Sequence, residues 1–236
     1  MGDDLAVVNA ARVSFDKQSN WEYITETTEP DRFGLQYDLT REKLSEKDQK
    51  LIKYLATHNH WTPFAHCMIT LREKVPIFVA RQRFKHMIGF TYNEVSRRYV
   101  DSEPEFYVPD VWRKRAEDKK QGSSEETVQL PMTEYWGLGY DRYRDALVDI
   151  LACYETMLDA GVCPEQARMV LPQSMYTEYI TTGSLAAFAR AYKLRSQPDA
   201  QAEIRFLATE WDRVIRPLFP HAWSSLVDEP VMECSR

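Results

Sequence analysis

The sequence predicts a chain in which helices and strands are mixed, and three observations lead there. Leu51, Ile52 and Leu55 make one apolar helical stripe, and Tyr143, Leu147, Ile150, Leu151, Tyr154 and Leu158 make another. Cys67, Ile69 and Leu71 alternate instead with Met68, Thr70 and Arg72, a strand pattern, and Met175 to Thr182 is rich in Tyr, Thr and Ile and reads as extended. Proline and glycine punctuate the boundaries, with Pro76, Gly89, Gly161, Pro164 and Gly183 falling between periodic segments.

In chain order, Ala6 to Phe15 reads as a short helix, and Asn20 to Tyr37, polar and aromatic without a period, as a loop. Ser45 with Asp48 three residues on is a capping-box-like start, so a helix of about four turns runs to His58. Pro63 biases Thr62 away from the helical region, which makes His58 to Phe64 an interruption. Pro76 then fits the first turn of a helix carrying Ile77, Ala80, Arg81 and Phe84. On it Gln82, Lys85 and His86 lie at i, i+3 and i+4, one polar side able to face a ligand. Gly89 ends this helix, Asn93 to Arg98 is irregular, and Phe106-Tyr107-Val108 is strand-like.

Residues 114–127 are charged around Gly122-Ser123-Ser124 and are expected to form a mobile surface loop, not a domain boundary. Gly161 is a plausible helix-ending glycine, and Pro164 starts a short helix containing Arg168. Gly183 breaks the extended segment, and Ser184 can cap a helix whose stripe of Leu185, Phe188, Ala189 and Tyr192 continues to Arg195. A last helix uses Ile204, Leu207, Ala208, Trp211, Ile215 and Leu218 and ends before Pro220-His221-Ala222-Trp223. No internal repeat or low-complexity segment stands out.

Composition narrows the function. With 236 residues, 44% hydrophobic and 28% charged, the chain can bury a substantial core, and no apolar run approaches the roughly 20 residues of a membrane span. The N-terminal Met-Gly-Asp-Asp lacks the basic-then-apolar layout of a secretion signal, so the cytoplasm is the expected compartment. The four cysteines form no CxxC pair and none has an activating neighbour, so they are read as reduced and structural. His58, His60 and His66 come without HExxH or an acidic cluster, and no metal site is expected. Neither GxGxxG nor a Walker loop is present.

Cations nevertheless gather in Ala80 to Tyr99, where Arg81, Arg83, Lys85, Arg97 and Arg98 face one acid, Glu94, in a chain whose formal net charge is −6. Phe84, His86, Met87, Ile88, Phe90 and Tyr92 sit among them, a mixture suited to a flat anionic ligand: apolar surface takes the ring and Arg forks take phosphate. Ser96 has no local base and reads as a phosphate-binding hydroxyl, not a nucleophile. Arg168 and Arg195 stand on otherwise apolar ground, where a charge needs an ion-pair partner or an anionic ligand.

Several spaced motifs then line up. His58-x-His60-x-Thr62-Pro63-Phe64-x-His66 is followed by Pro76-Ile77-Phe78-Val79-Ala80-Arg81-Gln82, by Asn93-Glu94-x-Ser96-x-Arg98-Tyr99 and by Glu105-Phe106-Tyr107-x-Pro109. Ala167-Arg168-x-Val170-Leu171-Pro172, Leu194-Arg195 and Ala200-Gln201-x-Glu203-Ile204 continue them. From about Asp4 to Trp223 the chain resembles the flavin-dependent thymidylate synthases.

The resemblance implies an α+β fold, a mixed and mainly antiparallel sheet flanked by helices in a single domain over 1–236. It implies reductive methylation of dUMP to dTMP, with methylenetetrahydrofolate as carbon donor, FAD as hydride carrier and NADPH as reductant, in a homotetramer with sites shared between subunits. Carried over by position, dUMP contacts are expected from Gln82, Arg83, Phe84, Lys85, Glu94, Val95, Ser96, Arg97, Arg98, Arg168 and Arg195, with Arg195 catalytic at the uracil edge. FAD contacts are expected from His60, Thr62, Lys85, His86, Met87, Glu94, Ser184 and Arg190.

The chain departs from the family pattern in several places. Lys85-His86-Met87 stands where members carry Arg-His-Arg, and eight residues instead of seven precede Ser96. A Lys offers a point charge where an Arg offers a fork, so the grip on flavin or nucleotide is expected to be weaker. Ser184, Ala186 and Asp199 replace the common Asn, Arg and His, and the usual strand before Asp4 has no counterpart, which makes a shortened start the expectation. Two rivals are a different nucleotide methyltransferase, which lacks its activated Cys or Gly-rich loop here, and a single-stranded nucleic-acid binder, which the pI near 5.5 disfavours.

Overall fold

Ser45 opens the first long helix as capping predicts: its Oγ accepts from Asp48 N at 3.2 Å and donates to Asp48 Oδ2 at 2.8 Å. The computed structural model describes residues 2–100, 102–117, 123–130, 133–135 and 138–228, with residues 133–135 and 138–140 described by backbone alone. Along the chain run α1 (Asp4–Arg12), β1 (Glu22–Thr27), β2 (Asp38–Lys43), α2 (Glu46–Thr57), α3 (Thr62–Ala65), β3 (Met68–Pro76), α4 (Ile77–Arg83) and β4 (Phe90–Glu94). Then come β5 (Trp112–Arg115), β6 (Ser123–Val128), β7 (Thr133–Tyr135), β8 (Leu138–Tyr140), α5 (Arg142–Asp159), α6 (Pro164–Ala167), β9 (Tyr176–Ser184), α7 (Leu185–Arg195), α8 (Ala202–Ile215) and α9 (Pro220–Val227).

Two compact units emerge, one from residues 1–69, 183–193 and 208–236, the other from 70–182 and 194–207. In the first, α2 packs on α9, and α1 packs on α2, α3 and α9. Val7, Val8, Ile52, Phe64, Phe188, Trp211 and Trp223 are buried there. The second is built on a three-stranded sheet of order β3-β9-β4. Thr70 meets Thr182, Arg72 meets Glu178 and Lys74 lies over Tyr176, so numbers fall on one strand as they rise on the other, which is antiparallel pairing. One face of β3 and β9 buries Glu73, Val75, Thr177, Tyr179 and Thr181, while the other keeps Thr70, Arg72, Lys74 and Ile180 in solvent.

Several expectations need correction. Asn20 to Tyr37 is not all loop: β1 pairs antiparallel with β2 from Glu22↔Lys43 to Thr27↔Asp38. All but one of these twelve residues are exposed, so no hydrophobic alternation betrays the strands. The irregular segment expected from Asn93 begins inside β4, which pairs with β9, whereas Phe106 makes only an isolated bridge to Met175. Within 114–127, β5 and β6 pair antiparallel, and residues 118–122 lie outside the described residues.

Thr62 starts a short helix after all, because Pro63 sits in the first turn, where its missing N–H costs nothing. Pro220 likewise opens α9 instead of marking an end. The carboxylate of Asp4 accepts from His221 N at 2.8 Å and Ala222 N at 2.9 Å, a cap supplied from 217 residues or more away in sequence and invisible to local reading. Gly161, at φ +85°, ends α5 as expected, and Ser184 caps α7 through Ala187 N at 3.2 Å, with Gly183 still inside β9.

Candidate active site

The end of β4 is tied to β9 twice, by Val95 N donating to Glu178 O at 2.9 Å and by Thr177 Oγ1 donating to Glu94 Oε1 at 2.7 Å. These bonds fix the chain where it leaves the sheet. Residues 95–97 therefore stand at one wall of a cavity of about 1070 Å³, which the helical turn after Pro164 faces with Arg168 and Met169. Ile77, Leu171, Met175 and Tyr176 add apolar lining, and Arg72 and Lys74 enter from the solvent side of β3.

The cations of this cavity are of two kinds. Arg72 is paired with Glu178 and Lys74 with Glu105, both at 2.5 Å, and the second contact raises the ammonium's pKa. Arg97 and Arg168 have no carboxylate partner among the described residues: Arg97 donates to Ser102 O, and Arg168 to Glu165 O at 3.3 Å. Ser96 sits between them in the lining, its Oγ 3.4 Å from both N and Nε of Arg98. Two uncompensated guanidiniums, a hydroxyl and apolar walls can hold an anionic group with a flat ring attached.

A second cluster lies where α4 ends. Arg195, half-buried at the end of α7, donates from Nε to His86 Nε2 at 2.9 Å and from Nη2 to Gln82 O at 3.2 Å. Gln82 Nε2 donates in turn to Gln201 Oε1 at 2.6 Å. Burial lowers the pKa of Arg195, and no carboxylate among the described residues offsets it.

The predicted residues thus divide. Glu94, Val95, Ser96, Arg97 and Arg168 line the cavity, with Arg98 exposed beside them. Gln82, Lys85, His86, Met87 and Arg195 belong to the α4 and α7 ends. Arg83 is fully buried and committed elsewhere: it binds Glu73 at 3.1 Å, Tyr92 OH at 2.6 Å and Thr181 Oγ1 at 3.3 Å. Phe84 meets Tyr92 and Tyr179 edge-on. His60 and Thr62 are exposed in the first unit, His60 stacked with Tyr54 and His58, while Ser184 is buried and Arg190 exposed on α7.

Sequence reading missed Arg72, Lys74, Tyr176 and Glu178, although charges alternating with apolar residues along β3 were a usable signal. It also missed Tyr107, Arg113 and Glu203. Burial pushes the Glu203 carboxyl up, but the 2.7 Å bond from Arg113 outweighs it, and Tyr107 beside them rises to about 12 through burial and the Glu203 charge. Cys67 is buried and its thiol is pushed up to about 11, while Cys153 and Cys163 are exposed and Cys234 lies outside the described residues.

Fold and cavity together define an α+β protein whose mixed cationic and apolar cavity beside an antiparallel sheet suits a small anionic ring compound. Residues 1–221 match the family model described as thymidylate synthase complementing protein, and the chain belongs to that family. It is 35% identical to the flavin-dependent thymidylate synthase of Thermosipho africanus over 228 residues, 96% of this chain and 87% of the relative. Against the enzyme of that name from Thermus thermophilus it is 34% identical over 238 residues, 99% of this chain and 74% of the relative. Among solved structures it resembles the UMP/dUMP methylase PolB of Streptomyces cacaoi bound with 5-Br dUMP, at a TM-score of 0.69 and 25% identity, covering 95% of this chain and 90% of the other.

Proposed function

We propose that this chain is a methyltransferase that converts dUMP to dTMP with carbon from methylenetetrahydrofolate and reducing power from NADPH. The reading is carried by one observation: in a member of this family, Arg97 and Arg168, without carboxylate partners among the described residues, line one cavity together with apolar side chains. In it Arg97, Arg168 and Ser96 hold the phosphate, and Tyr176 and Met169 border the uracil. Arg195 stabilises negative charge as it develops on the ring, so no enzyme nucleophile is needed. The buried Cys67 thiol, kept protonated, fits that absence.

The donor set at the end of α4 suits FAD. Lys85 offers a cation for pyrophosphate, and Met87 and Ile88, 73% and 78% exposed, offer apolar surface to a ring. Bound FAD supplies the hydride that NADPH donates. His60, Thr62, Ser184 and Arg190 join Lys85, His86, Met87 and Glu94 in the FAD contacts that the family resemblance implies, and that resemblance also makes the cofactor site one shared between copies of the chain in a homotetramer. A monomeric preparation that keeps stoichiometric flavin would refute the shared site.

The test of the whole reading is direct. Purified protein should be yellow, and anaerobic addition of dUMP and methylenetetrahydrofolate to the NADPH-reduced form should reoxidise flavin and yield dTMP. Protein that binds FAD and dUMP yet makes no dTMP overturns it, and selective binding of single-stranded nucleic acid without flavin would favour the rival.

A further inference from the structure

We propose that His86 is the positioning residue for Arg195, holding the guanidinium through its Nε2 lone pair and releasing it when the imidazole gains a proton. The proposal rests on the reading that Arg195 faces the substrate ring. An arginine Nε–H only donates, so the 2.9 Å contact makes His86 Nε2 the acceptor, and a neutral imidazole that accepts at Nε2 carries its proton at Nδ1. An imidazolium has no lone pair there. Protonation would therefore replace a hydrogen bond by two cations at contact distance.

The rest of the segment is braced so that His86 cannot swing away cheaply. Tyr92 OH donates to His86 O at 2.7 Å and receives Arg83 Nη1 at 2.6 Å, and Arg83 is anchored on Glu73, which also accepts from Tyr179 OH at 2.6 Å. His86 N donates to Arg83 O at 3.1 Å. The backbone of residue 86 is thus fixed to the buried face of the sheet, and its ring presents Nε2 to Arg195.

The charged and titratable groups around it are Arg195 from α7, Tyr92 from β4, and Lys85 and Arg83 on its own segment, with Glu73 already satisfied by Arg83 and Tyr179. Gln82 O holds the far side of Arg195 at 3.2 Å, so His86 sets the angle of the fork about that second point.

The tautomer can be read without turnover. In holoenzyme labelled with 15N-histidine at pH 8, the resonance absent from H86Q should be the neutral Nδ1–H form with Nε2 as hydrogen-bond acceptor. An Nε2–H form overturns the proposal whatever the enzyme does. Turnover is the second readout, expressed per bound flavin. H86A should lose about 10–100-fold in kcat, the scale for removing a hydrogen bond to a charged group, with little change in the KM for dUMP.

H86Q, whose amide oxygen can occupy the Nε2 position, should recover most of that loss. It should also abolish the acid limb that protonation of His86 gives the unaltered enzyme. Equal losses in H86A and H86Q, or an acid limb that survives in H86Q, would refute the positioning role. If H86A instead loses flavin and keeps its rate per flavin, His86 serves as a cofactor contact alone and the positioning role fails. Absence of any dUMP methylation would sink the functional reading, and the tautomer would then decide the contact alone.

Discussion

Arg83 and Arg195 are both arginines drawn toward the interior around the end of α4, and the structure treats them oppositely. Arg83 is fully buried with its charge met by Glu73 and bonds to Tyr92 and Thr181, and its guanidinium lies 4.3 Å from the Phe90 ring centroid and 5.1 Å from that of Tyr92. Arg195 is half-buried and, among the described residues, donates to an imidazole and a carbonyl and to no carboxylate. A buried cation with a carboxylate is a structural device, whereas one without invites an anion from outside. Around the end of α4, compensation separates frame from site better than charge does.

The largest effect that could break this contrast concerns stability. Removing Arg83 strands the Glu73 carboxylate, so Arg83→Ala should cost about 3–5 kcal/mol in urea unfolding. Replacing the pair together, R83M with E73L, should recover most of that loss, because two apolar side chains leave no unpaired charge. An R83A protein as stable as the parent would remove Arg83 from the frame.

Arg195→Ala should do the reverse. We expect a loss of about 3–4 kcal/mol of transition-state stabilisation, or 10²–10³ in dUMP-dependent flavin oxidation, with an unfolding midpoint close to that of the parent. Lysine should rescue only part, since one ammonium cannot reproduce a planar two-point contact. Near-normal flavin oxidation in a destabilised R195A protein would make the two arginines alike and sink the catalytic assignment.

The cavity cations give a smaller effect that sharpens the same distinction. Arg168 is exposed and among the described residues bonds to Glu165 O alone, so R168A should leave stability unchanged while raising the KM for dUMP about 10–100-fold, the loss of one hydrogen bond to a charged group. R72A, which breaks a surface pair with Glu178 instead, should change the KM less than 5-fold or so. Equal effects at both positions would show that the carboxylate partner does not matter.

What was legible in advance follows the same physics. α2, α5, α7 and β9 each bury one face, and burial writes its period into the sequence. β1 and β2 bury almost nothing, so the hairpin has cross-strand pairs such as Thr25 with Thr40 but no apolar rhythm. For the site, Glu94, Val95, Ser96, Arg97 and Arg168 were named from spacing and motif and do meet at one cavity. Arg83 was named with them because a sequence shows that a residue is charged and not that Glu73, ten positions earlier, lies against it.

The smallest expected effect contrasts two carboxylates of the first unit in the same way. Burial alone would raise Asp48, but hydrogen bonds from Arg12, Ser45 and Ser19 outweigh it and hold the carboxyl below its usual value. Burial raises Asp4 more than the backbone donors of His221 and Ala222 lower it, and its net shift is upward. The signs are therefore opposite. Asp48, depressed in the fold, contributes stability that is present above the unfolded value near 3.9 and is lost as pH falls through the folded pKa. Asp4, raised in the fold, binds its proton more tightly folded than unfolded, so its protonation on acidification favours the fold. D48N should then cost about 1–1.5 kcal/mol at pH 7, and that cost should shrink as pH falls below the unfolded value and through the folded pKa of Asp48. D4N, which keeps an acceptor for one of the two α9 amides, should make the stability of the protein fall more steeply between pH 6 and pH 4 than in the parent, because the gain from protonating Asp4 is gone. Urea unfolding of both variants across that range measures the two slopes, and parallel curves for D4N and the parent would show that burial of Asp4 is already offset at neutral pH.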